Sequence, residues 1–157
     1  MRKKTQAGKS FVMLNRELLL SPSWLLMSIN CKRLIDFLFA EHLSKGGFEN
    51  GHLKATYDQL ASAGVARRLI NRTISEAEAF GLIRVERGGR KGCVNHLSTF
   101  LLTFLHTFKN GKRIQTKDDW KLLSRADVIE RQRMLKIKTT ILADTATVSQ
   151  TTGTRLH

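Results

Sequence analysis

Arg67, Arg68, Asn71, Arg72 and Ser75 fall within nine consecutive positions and carry the side chains best suited to chemistry with a polyanion. At 100° per residue, Arg68, Asn71, Arg72 and Ser75 share one side of a helix, with Arg67 at its edge. Ala66, Ile70, Thr73, Ile74 and Ala77 take the opposite side. Arginine pairs bidentately with guanine and asparagine with adenine, so this face has the donors that read base edges, while Arg67 suits a phosphate. The charges are also polarised. Arg67, Arg68 and Arg72 occupy the first half of the segment and Glu76 and Glu78 the second, the reverse of what a helix macrodipole favours. An anionic partner near the first half accounts for that order.

Other chemistries lack their residues. No GxxxxGK[ST], GxSxG, HExxH or CxxC pattern occurs, and Gly88–Gly92 is too compact for a nucleotide loop and leads into a strand. Asp118 and Asp119 form an acidic pair without further acids near it. His42, His52, His96, His106 and His157 make no close-spaced pairs with each other or with Cys31 and Cys93, as zinc sites require. The expectation is a non-enzyme with no metal and no cofactor, and no small-molecule ligand is evident. The two cysteines are expected to be separate buried thiols.

The elements that would position the basic face can be read around it. Thr56 caps a short helix containing Tyr57, Leu60 and Ala61, Gly64 ends it, and Val65 plugs a turn. A second helix is expected from Ala66 to Phe80, ended by Gly81. Leu82, Ile83 and Val85 then form a strand, Gly88, Gly89 and Gly92 a loop carrying Arg87, Arg90 and Lys91, and Cys93–Phe104 a returning strand. The loop's cations are expected to hold phosphates.

This order, carried by TYDQLASAGV, ARRLINRTISEAEAFG and LIRVERGGRKGCVN, resembles the winged helix-turn-helix superfamily of prokaryotic DNA-binding proteins over roughly residues 21–105. More narrowly, SPSWLLMS, GGFENGHLKATYDQLASAGV and GLIRVERGGRKGCVN look like small winged-helix proteins from plasmids and symbiosis regions of rhizobia and their relatives, some of them repressors of conjugative transfer. The resemblance implies an α+β fold: a three-helix core with a small antiparallel β-hairpin wing, followed here by a C-terminal helix and a flexible tail. It implies double-stranded DNA as partner, with base reading by Arg68, Asn71, Arg72 and Ser75 and phosphate contacts from Arg67, Arg87, Arg90 and Lys91. A plasmid or mobile-element repressor is the leading expectation. A replication-initiation or partition factor, and a protein-interaction or RNA-associated module, are the alternatives.

Net charge supports a polyanionic partner. The chain of 157 residues carries +14, of which +4 lies in residues 1–20, +1 in 21–81, +3 in 82–104 and +6 in 105–157. Residues 1–10 read as a basic flexible arm, 11–108 as the DNA-binding domain, 109–142 as a basic linker and C-terminal helix, and 143–157 as a disordered tail. Within the domain, Ser21-Pro22 starts a short helix around Trp24, a core anchor. Asn30 is expected to cap a scaffold helix with Cys31, Leu34, Ile35, Leu38 and His42 inside, His42 as a hydrogen-bonded core histidine. Residues 52–55 suit a first strand. Asn110-Gly111 marks a turn, and Ser124 with Asp127 a cap for a helix around Trp120–Leu142. Leu97, Leu101 and Leu105 would give the returning strand a second apolar face, covered by the C-terminal segment or, preferably, by a second subunit in a homodimer. Asn15, Arg16 and Glu17 interrupt the early apolar run, so no signal peptide or membrane span is expected and the protein is read as cytoplasmic, at the nucleoid.

Overall fold

Polar caps decide where the helices begin. The computed structural model describes residues 11–91, 94–95 and 97–136, without the side chains of residues 90, 91, 94 and 95. Asn15 accepts from the Leu18 N–H and opens α1, Arg16–Leu19. Ser21, followed by Pro22 at the first helical position, opens α2, Pro22–Leu25. The scaffold helix α3, Ile29–Ser44, is capped by Ser28, which corrects the expectation for Asn30. Asn30 instead accepts from the Ala66 N–H across the fold at 3.2 Å. Cys31, Leu34, Ile35, Leu38 and His42 are buried along α3 as its periodicity predicts. His42 departs from expectation in one respect: its buried Nδ1 has no hydrogen-bond partner.

The next helix, α4 (Tyr57–Ser62), begins with a capping box between Thr56 and Gln59. It ends at Gly64, φ +90°, where the Gly64 and Val65 N–H groups bond back to the Ala61 and Leu60 carbonyls. Val65 fills the turn and is buried. The second helix starts later than its pattern predicts. Arg67–Leu69 form a 3₁₀ turn, and α5 proper runs Ile70–Ala79 with Leu69 at its cap position offering no side-chain oxygen. Ala66, expected inside, is exposed, while Ile70, Thr73, Ile74 and Ala77 are buried. Gly81 ends α5 at φ +68°.

The strands are short. They are β1 (Leu53–Lys54), β2 (Ile83–Glu86), β3 (Arg90–Lys91), β4 (Val94–Asn95) and β5 (Thr99–Leu102). An antiparallel sheet in the order β1-β5-β2 lays Leu53, Ile83, Phe100 and Leu102 on the helices, and β3 pairs with β4 as the outer part of the hairpin. The single strand expected over Cys93–Phe104 is therefore interrupted, with Cys93 outside the described residues and Thr103 and Phe104 in a turn. Just past the strand, the Thr103 Oγ1 donates to the Gly81 carbonyl at 2.6 Å. Asn50, 2% exposed, accepts from the Leu102 N–H at 2.8 Å and donates to the Leu102 and Leu105 carbonyls, each at 2.9 Å, and to that of His106 at 3.3 Å.

The outer face of the sheet is not the apolar surface that Leu97, Leu101 and Leu105 suggest. Leu97 and Leu105 lie outside β5, and half-buried Leu101 is bracketed by exposed Lys54, Arg84 and Glu86. Long charged side chains can shield one leucine without a second layer.

After β5 comes a second hairpin, β6 (Thr107–Lys109) and β7 (Lys112–Ile114), joined by Asn110 and Gly111 at φ 52° and 73°. The sequence marks this turn, but the strands around it were expected to be linker, and the hairpin straddles position 108 where the linker would start. A 3₁₀ turn, Asp119–Leu122, buries Trp120, and residues 125–136 are helical (α6) with Val128 buried. Ser124 and Asp127 cap α6 reciprocally: the Ser124 N–H and hydroxyl donate to the Asp127 carboxylate, and the Asp127 N–H donates to the Ser124 hydroxyl. These bonds, the hydroxyl's first, hold the Asp127 carboxyl below its usual range. Trp120 and Val128 join the same core cluster as the helices and sheet. The expected arm at 1–10, tail at 143–157 and Leu142 lie outside the described residues. Among the described residues no helix is long and apolar enough to cross a membrane.

Candidate nucleic-acid interface

Three polar contacts from α3 fix the helix pair that carries the basic face. The Arg33 guanidinium donates to the Gly64 carbonyl at 2.6 Å, Asn30 accepts from Ala66, and Glu76 accepts from the Ser28 N–H at 2.7 Å and hydroxyl at 2.8 Å. Turn and second helix are thus both pinned to the scaffold. Glu76 is 6% exposed. It was expected only as half of a charge gradient, but it is a buried acceptor completing the start of α3. Its charge also adds to the larger effect of burial in pushing the Cys31 thiol far up, so Cys31 is an inert core thiol. Cys31 is free, and Cys93 lies outside the described residues.

The outer face divides into committed and uncommitted cations. Arg68 is exposed on the 3₁₀ turn and Arg72 is half-buried on α5; neither makes a hydrogen bond or ion pair among the described residues. Ser75 lies half-buried one turn further along. Asn71 is exposed and its Oδ1 accepts from the Tyr57 hydroxyl of α4. That leaves its amide hydrogens and a second lone pair, the set a bidentate contact with adenine uses.

Arg67 is paired with Asp58 at 2.6 Å, and Arg87 with Glu78 at 3.0 Å. The sequence assigns both to phosphates; in the structure each meets a carboxylate of the same chain. The Arg67 and Asp58 side chains are 64% and 80% exposed, and such pairs contribute at most about 1 kcal/mol, so phosphate can displace the carboxylate at small cost. Arg90 and Lys91 lie in β3, on the hairpin beyond Arg87, and their side chains are outside the description.

The ends of α5 differ electrostatically. No acid occupies the first turn, no side chain caps it, and Arg67 and Arg68 precede it. At the other end Arg131 of α6 donates to the Ala79 carbonyl at 2.6 Å, the arrangement that offsets a helix C-terminus. The sequence signal for Tyr57, Asp58, Arg33 and Asn30 as positioning groups was absent, because each acts across the fold. A second group of exposed cations, Lys109, Lys112 and Arg113, sits on the β6–β7 hairpin, for which the Asn-Gly pair flanked by Phe108 and Ile114 is a usable hairpin signal.

Among the described residues no cluster of histidine, cysteine and acidic side chains could hold a metal ion. No family model, no curated protein and no solved structure matches the chain.

Proposed function

We propose that this protein is a winged helix-turn-helix regulator that binds double-stranded DNA sequence-specifically, with α5 in the major groove, as a repressor on a plasmid or other mobile element. The observation that carries the reading is the pair of arginines, Arg68 and Arg72, which have no partner among the described residues at the uncompensated start of α5. Holding guanidinium groups there is unfavourable unless a polyanion meets them. Further support comes from the element order α3, β1, α4, turn, α5, β2, hairpin, β5, the strand order β1-β5-β2, and the Arg87–Glu78 pair between the base of the hairpin and α5. Arg68, Asn71, Arg72 and Ser75 read bases; Arg67, Arg87, Arg90 and Lys91 hold phosphates. Two copies would fit a palindromic operator.

Selection of bound duplexes from a random library supplies the site, and fluorescence anisotropy then compares it with random sequence. Arg68→Ala and Arg72→Ala each should cost about 1 to 3 kcal/mol on the selected duplex and much less on random DNA. Equal losses on both, or none, exclude groove reading by α5. Arg90→Ala or Lys91→Ala should lower the slope of log K against log salt by about 0.9 per phosphate contact removed. An unchanged slope takes the hairpin out of the interface.

A further inference from the structure

The β2–β5 hairpin leaves one end of the three-stranded sheet. At the other end, a pocket of ≈ 350 Å³ lies between the end of α3, residues 11–13 and the β6–β7 hairpin. That volume is in the range of small-molecule sites, about 300 to 1,000 Å³. Phe104 and Phe108 are among its walls, and among the described residues every ionisable side chain lining it is basic: His42, His106 and Arg113. Among the described residues no carboxylate lines it.

Two features give this pocket a donor set without acceptors. His42 is 7% exposed, and the Nδ1 atoms of both His42 and His106 are sealed from solvent without a partner among the described residues. An unsatisfied buried N–H is costlier than an unsatisfied lone pair, which favours the Nε2–H tautomer in both rings. For His42 that edge lies beside Gly47, another residue of the pocket lining: its Nε2 is 3.8 Å from where a Cβ on Gly47 would stand. The second feature is Arg113, paired across the hairpin with Phe108, so that guanidinium and ring share one face. Arg113 makes no ion pair among the described residues.

We propose that this pocket binds a small monocarboxylate with an apolar body, an arylacetate or a medium-chain acyl acid. Arg113 and the Nε2–H edges of His42 and His106 hold the carboxylate, and Phe104 and Phe108 pack on the body. The guanidinium fork matches a planar carboxylate, and aromatic walls disfavour a fully hydrated anion such as inorganic phosphate. The assignment does not rest on duplex binding, so its failure and that of the DNA reading are separate results.

Titration calorimetry of the full chain with phenylacetate and octanoate, against phenylacetamide and octanamide, tests it. Saturable binding of an acid is expected, with the matching amide weaker by about tenfold or more, and with Arg113→Gln, on an exposed hairpin, reducing acid affinity by a similar factor at unchanged thermal stability. In heteronuclear NMR of the imidazoles both rings should show the Nε2–H tautomer and shift on titration. No saturable binding at millimolar ligand, equal affinity for acid and amide, or wild-type affinity in Arg113→Gln overturns the proposal. An Nδ1–H tautomer at His42 overturns its role as donor.

Discussion

The two ends of α5 are built in opposite ways. Its C-terminal end is enclosed: Phe80 and Gly81 are buried, Glu76 is bonded to Ser28, Arg131 meets the Ala79 carbonyl, and the Asp119–Trp120 backbone lies against Gly81. Its N-terminal end has no side-chain cap, an exposed 3₁₀ turn in front and, nearby, two arginines without a partner among the described residues. The difference teaches where this helix draws its stability. It is anchored from behind, which allows the front to carry charges that disfavour the helix itself. The contact from Asn30 to Ala66 holds the front in place without neutralising it.

The enclosed end should therefore be sensitive to substitution and the open end should not. The largest effect is expected for Gly81→Ala, where a Cβ would come 2.8 Å from Asp119 C and Trp120 N at a φ of +68°. Backbone strain and displacement of a rigid neighbour together should cost about 2 to 4 kcal/mol, measured by urea unfolding. Glu76→Ala removes the acceptor for two Ser28 groups and should cost about 1 to 3 kcal/mol. Should either variant unfold at the wild-type midpoint, the contrast between the ends is wrong.

At the open end the sign reverses. Arg68→Glu places an acid before the helix and should stabilise the fold by about 0.3 to 1 kcal/mol while abolishing sequence-specific duplex binding. A stabilised variant that still binds its duplex would separate the macrodipole argument from the proposed function.

The smallest effect concerns the cover over the enclosed end. Because the Asp127 carboxyl is held below its usual range, its contribution to capping α6 is complete above the unfolded carboxylate range, near pH 4, and is lost as pH falls through the lower folded value. Acid titration followed by amide exchange should show α6 opening there in the wild type. Asp127→Asn should remove that step.

How much of this was legible in the sequence follows from the range of each interaction. Caps and turns are local, so Thr56, Gly64, Ser21-Pro22, Asn110-Gly111 and the Ser124/Asp127 pair all declared themselves. The apolar stripe of α3 and the inner face of α5 came from periodicity. Asn30 misled because Ser28, two residues earlier, has the same capping chemistry and only the Asn30–Ala66 contact separates their roles. The late start of α5 was hidden for a related reason: Arg67–Leu69 keep the apolar spacing of a helix, but Ala66 and Leu69 supply no cap. Of the candidate site, side-chain type and face could be read, but the partners Asp58, Glu78 and Tyr57 could not, since each comes from another element. The second hairpin was missed because three-residue strands carry too little alternation to register.

Asn50 has a chemical consequence. It is followed by Gly51, and asparagine before glycine is the pairing in which a side-chain amide hydrolyses most readily over a protein's lifetime. Here the amide nitrogen faces three carbonyl oxygens, so deamidation would exchange a donor for a negative oxygen pointed at all of them. Asn110-Gly111, at an exposed tip, meets no such obstacle. Chemical ageing should therefore first appear on the β6–β7 hairpin, lowering its charge by one, while the clasp between the loop before β1 and the end of β5 stays intact.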